Sequence, residues 1–316
     1  MINFDAYERS ILYVKHGSHA YGLNVPTSDE DFKGVCIPPK DSYYGMLNKF
    51  EQIENMDSKS EGHDSVIYSL NKFVTLASDC NPNIIEILFV DDSDVIKIDK
   101  FGEELKSFRE NFISKKIKFT FAGYAAAQLA RIETHRKWLL DPPKEAPKRS
   151  DFRLSDTDLV SKSELGAYDS LAEKNPDIVL PKNIVTLFTK EKQYYSALTK
   201  WKQYQNWKLE RNPQRAVMEA KFGLDTKHAM HLIRLMRMCK EVLTSGKVNV
   251  KREDKEELLD IRLGRRSYDS LIEETKKLNE TVEQLYKTSS LRTEPDKQSI
   301  NKFLINLTDK YLIERT

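Results

Sequence analysis

The pattern of apolar and polar positions changes along the chain. Up to about residue 112, short apolar runs alternate with polar clusters; beyond it, apolar side chains recur at helical spacing. Ile11-Leu12-Tyr13-Val14 predicts a strand over 11–15, followed by a turn or short helix over 18–23. A second strand is predicted over 31–37, ended by Pro38-Pro39 because proline removes a ladder donor. Phe50 to Met56 alternates apolar and polar residues as a half-buried strand does, and Asp64-Ser65-Val66-Ile67-Tyr68 predicts another. Ser69 is placed to cap a helix over 70–78, whose Leu70, Phe73, Val74 and Ala77 share one face. Asn81-Pro82-Asn83 breaks that helix, and 84–90 is compatible with a short helix or a strand.

From about residue 113 the pattern is helical. A helix is expected over 119–140, stopped by Pro142-Pro143, and the proline-rich stretch 141–182 reads as loop with short helices. Helices follow over 184–210, 225–245, 253–263, 267–287 and 295–313, with Gly246 ending the second of these. The expected fold class is therefore α+β: a mixed sheet with helices over 1–112, then a mostly α-helical domain over 113–316.

Charge sharpens that division. Residues 1–112 hold 11 Lys/Arg against 20 Asp/Glu, a net of −9, whereas 113–316 hold 40 against 29, a net of +11. The near-neutral total thus hides a basic second part that suits a polyanionic partner; for any single lysine a solvated helix face is the simpler account. No run approaches the roughly 20 apolar residues of a membrane span, and the N-terminus lacks a signal-peptide pattern. Cys36, Cys80 and Cys239 are far apart and read as reduced core thiols. A cytoplasmic protein with no membrane partner is expected.

The chemistry concentrates in residues 14–35. Gly17-Ser18 follows the first strand, ten residues separate Ser18 from Asp29, and Asp29-Glu30-Asp31 leads into Phe32-Lys33-Gly34-Val35. On a strand, side chains at i and i+2 point the same way, so Asp29 and Asp31 would project two carboxylates from one face. Such a pair repels unless neutralised, and a hard divalent cation does this well. Gly17 lets the backbone approach a phosphate, which the Ser18 hydroxyl and nearby N–H groups can hold. Asp-x-Asp or Gly-Ser alone is more often an ordinary surface turn; the combination is far more specific. A third carboxylate is expected to help hold metal and activate a hydroxyl. Asp64 is the first candidate; Glu54 is the rival, on what looks like the solvent face of its strand.

A second dense patch runs from Asn206 to Pro213 and on through Lys221 and Asp225 to Leu235. Lys227, His231 and Arg234 fall at i, i+4 and i+7 and share one helix stripe, an arrangement that calls for anions such as triphosphate or nucleic-acid phosphate. An ordinary cationic face is the competing account, and a structural role is as reasonable for His228 and His231 taken singly.

The strand, Gly17-Ser18, the spacer and Asp29-x-Asp31 resemble the DNA polymerase β superfamily of nucleotidyltransferases, with Glu30 standing where an apolar residue is usual. Gly-Ser-His-Ala-Tyr-Gly (17–22), Lys33-Gly34-Val35, Asp64 ahead of Tyr68-Ser69-Leu70, Asn81-Pro82 before Glu86, Asp225 to Leu235, and Gly246-Lys247-Val248 are similar to its RNA-ligase-associated branch. The resemblance implies a polymerase-β-like catalytic domain over 1–112 and a helical substrate domain over 113–316. It implies Asp29, Asp31 and Asp64 as catalytic acids and ligands of Mg²⁺ or Mn²⁺. Gly17, Ser18, Tyr21, Lys221, Lys227, His231 and Arg234 would contact nucleotide or phosphate, though Tyr21 stands where many relatives carry a basic residue. The expected reaction moves an NMP from an NTP to an acceptor hydroxyl with release of pyrophosphate, the acceptor being an RNA 3′ end in repair. The alternatives are nucleotidylation of a protein hydroxyl and a non-catalytic nucleic-acid-binding module. A helical-type ribonuclease is disfavoured because Arg131-x-x-x-His135 is one residue short of that motif.

Overall fold

The structure is a computed structural model that describes residues 4–56, 63–157, 159–175 and 181–315. The expected polar stretch after Met56 therefore lies largely outside the described residues. Five strands form one sheet: β1 (Ser10–His16), β2 (Glu30–Cys36), β3 (Gln52–Met56), β4 (His63–Ser69) and β5 (Val95–Ile98), in the order β3-β4-β2-β1-β5. β2 and β4 run parallel, and the other neighbouring pairs are antiparallel. A short helix α1 (Gly17–Ala20) follows β1, and α2 (Lys40–Tyr44) follows β2. Next come α3 (Leu70–Ser78), α4 (Pro82–Leu88) and α5 (Lys100–Ser107). The remainder is helical: α6 (Ile117–Leu140), α7 (Lys162–Lys174), α8 (Lys182–Glu210), α9 (Pro213–Phe222), α10 (Thr226–Ser245), α11 (Lys255–Arg262), α12 (Tyr268–Thr288) and α13 (Lys297–Glu314). The expected α+β class is the observed one.

Local signals account for most of these bounds. Ser69 accepts a hydrogen bond from the Lys72 N–H and caps α3, and Asn81 caps α4 with Pro82 at its first position. The 84–90 stretch is thus a helix. β5 and α5 have no counterpart in the sequence expectation, because Val95–Ile98 is short and pairs only at the sheet edge. α7 fills much of the expected loop, its start set by a capping box between Ser161 and Glu164.

The chain forms two compact units, residues 1–132 with 226–316, and residues 133–225. The expected boundary at 112/113 falls inside the first unit, because four helices from the C-terminal third pack with the sheet domain. Lys310 on α13 holds Glu104 on α5, and the buried Arg234 on α10 holds the buried Glu86 on α4. Packing decides this boundary, and the charge shift near residue 112 does not mark it. In the first unit the core is built from Ile11, Leu12, Val14, Val35, Phe73, Ile84 and Ile87, with Met230, Ile233 and Val242 of α10 buried as well. Cys36, Cys80 and Cys239 are free and buried. No helix among the described residues is long and apolar enough to cross a membrane.

Candidate active site

In the first unit, β1 ends where the neighbouring strands β2 and β4 begin, and this end of the sheet gathers the acids. The register sets Asp31 opposite Asp64 on β4 and opposite His16 on β1. Directly opposed residues share a sheet face, so Asp31 and Asp64 point the same way. Asp29 precedes β2, which begins at Glu30, so the expected pair of strand-borne carboxylates becomes one on the strand and one on the approach to it. Arg262 of α11 pins that approach by donating to the Leu23 carbonyl and to Ser28 Oγ.

Gly17 has a left-handed φ of +63°, and a Cβ there would fall 2.0 Å from Asp31 Oδ2. The carboxylate of Asp31 therefore lies in the space that any other side chain would fill. Burial raises the Asp31 pKa, and the negative charges of Asp29 and Asp64 raise it further, while Lys227 and Lys33 pull it down. Two like charges around one half-buried carboxylate, only partly offset by two ammonium groups, make an oxygen-rich donor set of three acids that suits a hard divalent cation. Ser18, beside Gly17, is 8% exposed.

Lys33 is a site residue to which the sequence assigned no role. It lies two residues beyond Asp31 on the same face, and burial lowers its pKa against the opposing pull of Asp31, Glu54 and Asp64. The period-two alternation from Asp31 was the signal available. Glu54 pairs in register with Val66, which pairs with Lys33. It is exposed, as expected, yet it shares the sheet face of the three acids, one side-chain repeat from Asp64.

The stripe on α10 divides between two environments. Lys227, in the first turn, reaches the electrostatic neighbourhood of Asp31. Arg234, two turns on, is 3% exposed, and its Nη1 donates to Glu86 Oε1 at 2.5 Å. Glu86 is fully buried on α4 and also accepts from the Tyr21 hydroxyl at 2.5 Å. The Arg234 guanidinium lies 3.8 Å from the centre of the Tyr21 ring, and His16 Nε2 lies 3.5 Å from Glu86 Oε2. Arg234 and Tyr21, expected at phosphate, are thus engaged with a buried acid beneath the Gly17–Ala20 turn. Burial drives the His16 pKa down to about 4, and burial with the cations Arg234 and Lys227 holds His231 neutral. Lys221 belongs to the second unit, where its ammonium lies 5.0 Å from the centre of the Phe222 ring.

Among the described residues, a further group able to hold a cation lies in the second unit, where His135, Glu219 and Asp225 offer ligand atoms within 4.8 Å of one another. His135 Nδ1 lies 3.5 Å from Glu219, and Arg211 Nη1 lies 3.4 Å from it, so Glu219 has countercharge from the protein. The acids at Asp29, Asp31 and Asp64 do not form so tight a group.

A mixed sheet that sets a Gly-Ser turn beside strand-borne acids is similar to the polymerase-β-like nucleotidyltransferases. Residues 3–140 match the RNA repair pathway DNA polymerase beta family. The chain is also similar to an uncharacterized 38.9 kDa protein of the nrdC-mobD intergenic region of Enterobacteria phage T4. The two are 24% identical over 281 residues, which is 81% of this chain and 83% of the relative. No solved structure matches the chain.

Proposed function

We propose that this protein is a Mg²⁺-dependent nucleotidyltransferase that moves an NMP from an NTP to an acceptor hydroxyl, with an RNA 3′ end as acceptor. The observation that carries this reading is the carboxylate of Asp31 lying against Gly17, with Asp29 and Asp64 as its charged neighbours. Asp29, Asp31 and Asp64 would hold the cation, which when bound supplies charge neutralisation at the reacting phosphate. Asp64 accounts for the third acid better than Glu54, because it stands level with Asp31 in the sheet register.

The acceptor oxygen attacks the α-phosphorus as the bond to the β-phosphate oxygen breaks, and the pyrophosphate leaves. The hydroxyl proton passes to Asp64. Gly17 permits close approach of the phosphates, and Lys33 and Lys227 offset the charge that develops on them. Tyr21 and Arg234, joined through Glu86, hold the chain just after the turn that carries Gly17 and Ser18. The positive balance of residues 113–316 and the RNA-repair description of the matched family favour RNA over a protein acceptor.

The test is incubation with α-labelled NTPs, Mg²⁺ and either total RNA or RNA-free lysate. Label should enter RNA, and Asp29→Ala with Asp31→Ala should abolish it while leaving the thermal melt nearly unchanged. Full activity in the double variant would sink the mechanism, and label confined to protein would replace the acceptor.

A further inference from the structure

The second unit gathers all three tryptophans of the chain. Trp138 on α6 lies 5.3 Å from Trp207 and 5.7 Å from Tyr204, both on α8, and Trp201 lies 6.0 Å from Tyr204. Tyr204 is buried at the centre of this ladder, whereas Trp138 and Trp201 are half-buried. Both of these line a cleft of about 690 Å³ between α6, the loop after it and α8. That volume is within the range of about 300–1,000 Å³ of small-ligand pockets, room for about one or two nucleotides.

The rim supplies positive charge that the protein does not use. Lys137, Lys144 and Lys200 line the cleft, are exposed, and have no ion pair among the described residues. The acids of the cleft are largely engaged: Glu145 pairs with Lys148 at 3.3 Å, and Asp151 accepts the Lys148 backbone N–H at 2.8 Å. Asp141 is the one cleft acid whose carboxylate has no hydrogen-bond or ion-pair partner among the described residues. Two aromatic faces on a cleft with surplus lysines suit a flat base joined to phosphate. The lysines come from three separate segments, which fits successive phosphates along a strand better than the cluster of a single triphosphate.

We propose that this cleft is a single-stranded nucleic-acid site, in which unpaired bases stack on Trp138 and Trp201 while Lys137, Lys144 and Lys200 hold the backbone. It rests on the reading that the acceptor is RNA and gives that acceptor a docking place on the second unit. Because every tryptophan of the chain lies in this one cluster, intrinsic fluorescence of the intact protein reports it directly.

The experiment titrates the full chain with an oligouridylate about eight nucleotides long, a blunt RNA duplex of equal length, ATP and a flexible acidic peptide. The single strand should quench saturably, with the other three far weaker. Trp201→Leu should weaken binding roughly tenfold. Lys144→Glu with Lys200→Glu, two exposed positions that leave the fold intact by circular dichroism, should weaken it further and flatten its salt dependence. Asp29→Ala with Asp31→Ala should bind as the wild type does, so loss of transfer activity and loss of this site are read separately. Absence of quenching by the single strand would overturn the proposal. So would equal quenching by ATP, duplex or peptide, or quenching unmoved by the lysine pair.

Discussion

Two acidic centres in the first unit are built from similar residues and treated in opposite ways. Glu86 is fully buried and neutralised, with Arg234 and Tyr21 each 2.5 Å from its carboxylate and His16 held neutral beside it. Asp31, at the end of the central strands, has Asp29 and Asp64 for neighbours, and its pKa rises through burial first and through those negative charges second. One helix serves both centres, with Arg234 of α10 given to the buried acid and Lys227 to Asp31. A charge taken out of water must be paired inside the protein, whereas one at a solvent-facing edge can remain for a ligand to complete. The difference separates what holds the site from what the site holds.

The comparison breaks most sharply at Glu86. Glu86→Gln leaves the Arg234 cation buried without its partner and should cost on the order of 3–5 kcal/mol in urea unfolding. Tyr21→Phe removes one hydrogen bond and should cost about 1 kcal/mol. A Glu86→Gln protein as stable as the wild type would show that the centre is solvated.

The His16 pKa near 4 has a signed consequence. Its folded value lies below the unfolded one, so the unfolded chain takes up a proton that the fold refuses. Stability present above the unfolded pKa is lost as the pH falls towards about 4, by up to roughly 3 kcal/mol from this group. His231 is depressed in the same direction. Melts between about pH 7 and pH 4.5 should therefore steepen with acid, and His16→Gln should flatten that slope without removing it. An unchanged slope would assign the effect to other groups.

At Gly17 the expected effect on stability is modest and that on activity is large. Gly17→Ala strains a left-handed residue by about 1–2 kcal/mol and pushes its Cβ into the Asp31 carboxylate. Transfer should fall on the order of a hundredfold through misplacement of that group, with the melt shifted only by the strain. Equal losses of stability and activity would mean that Gly17 serves the fold alone.

The elements were legible where local chemistry decides them. The cap at Ser69, the proline at the start of α4 and the alternation that runs through β3 are local features, so pattern alone reaches them. β5 escaped because four residues pairing at an edge carry too short a pattern. Among candidate site residues, Gly17 and Asp31 were proposed from spacing and Asp64 from its place at the start of a predicted strand, while the pairing of Asp31 with Asp64 is a matter of register. Lys33 was visible in the motif but had no role until burial placed it among the acids.

The sequence by itself determined the α+β class, the strand that carries Asp31 and the strand that carries Asp64, because strand period and turn chemistry are short-range. Tertiary structure alone decided that helices from the last third join the first unit, that Arg234 and Tyr21 serve a buried glutamate, and that three tryptophans form one cluster, two of them lining a cleft. Lys227 and Arg234 look equivalent on a helical stripe, since periodicity records the direction of a side chain and not what covers it. Arg234 meets a carboxylate 148 positions away, and no local pattern encodes that partner.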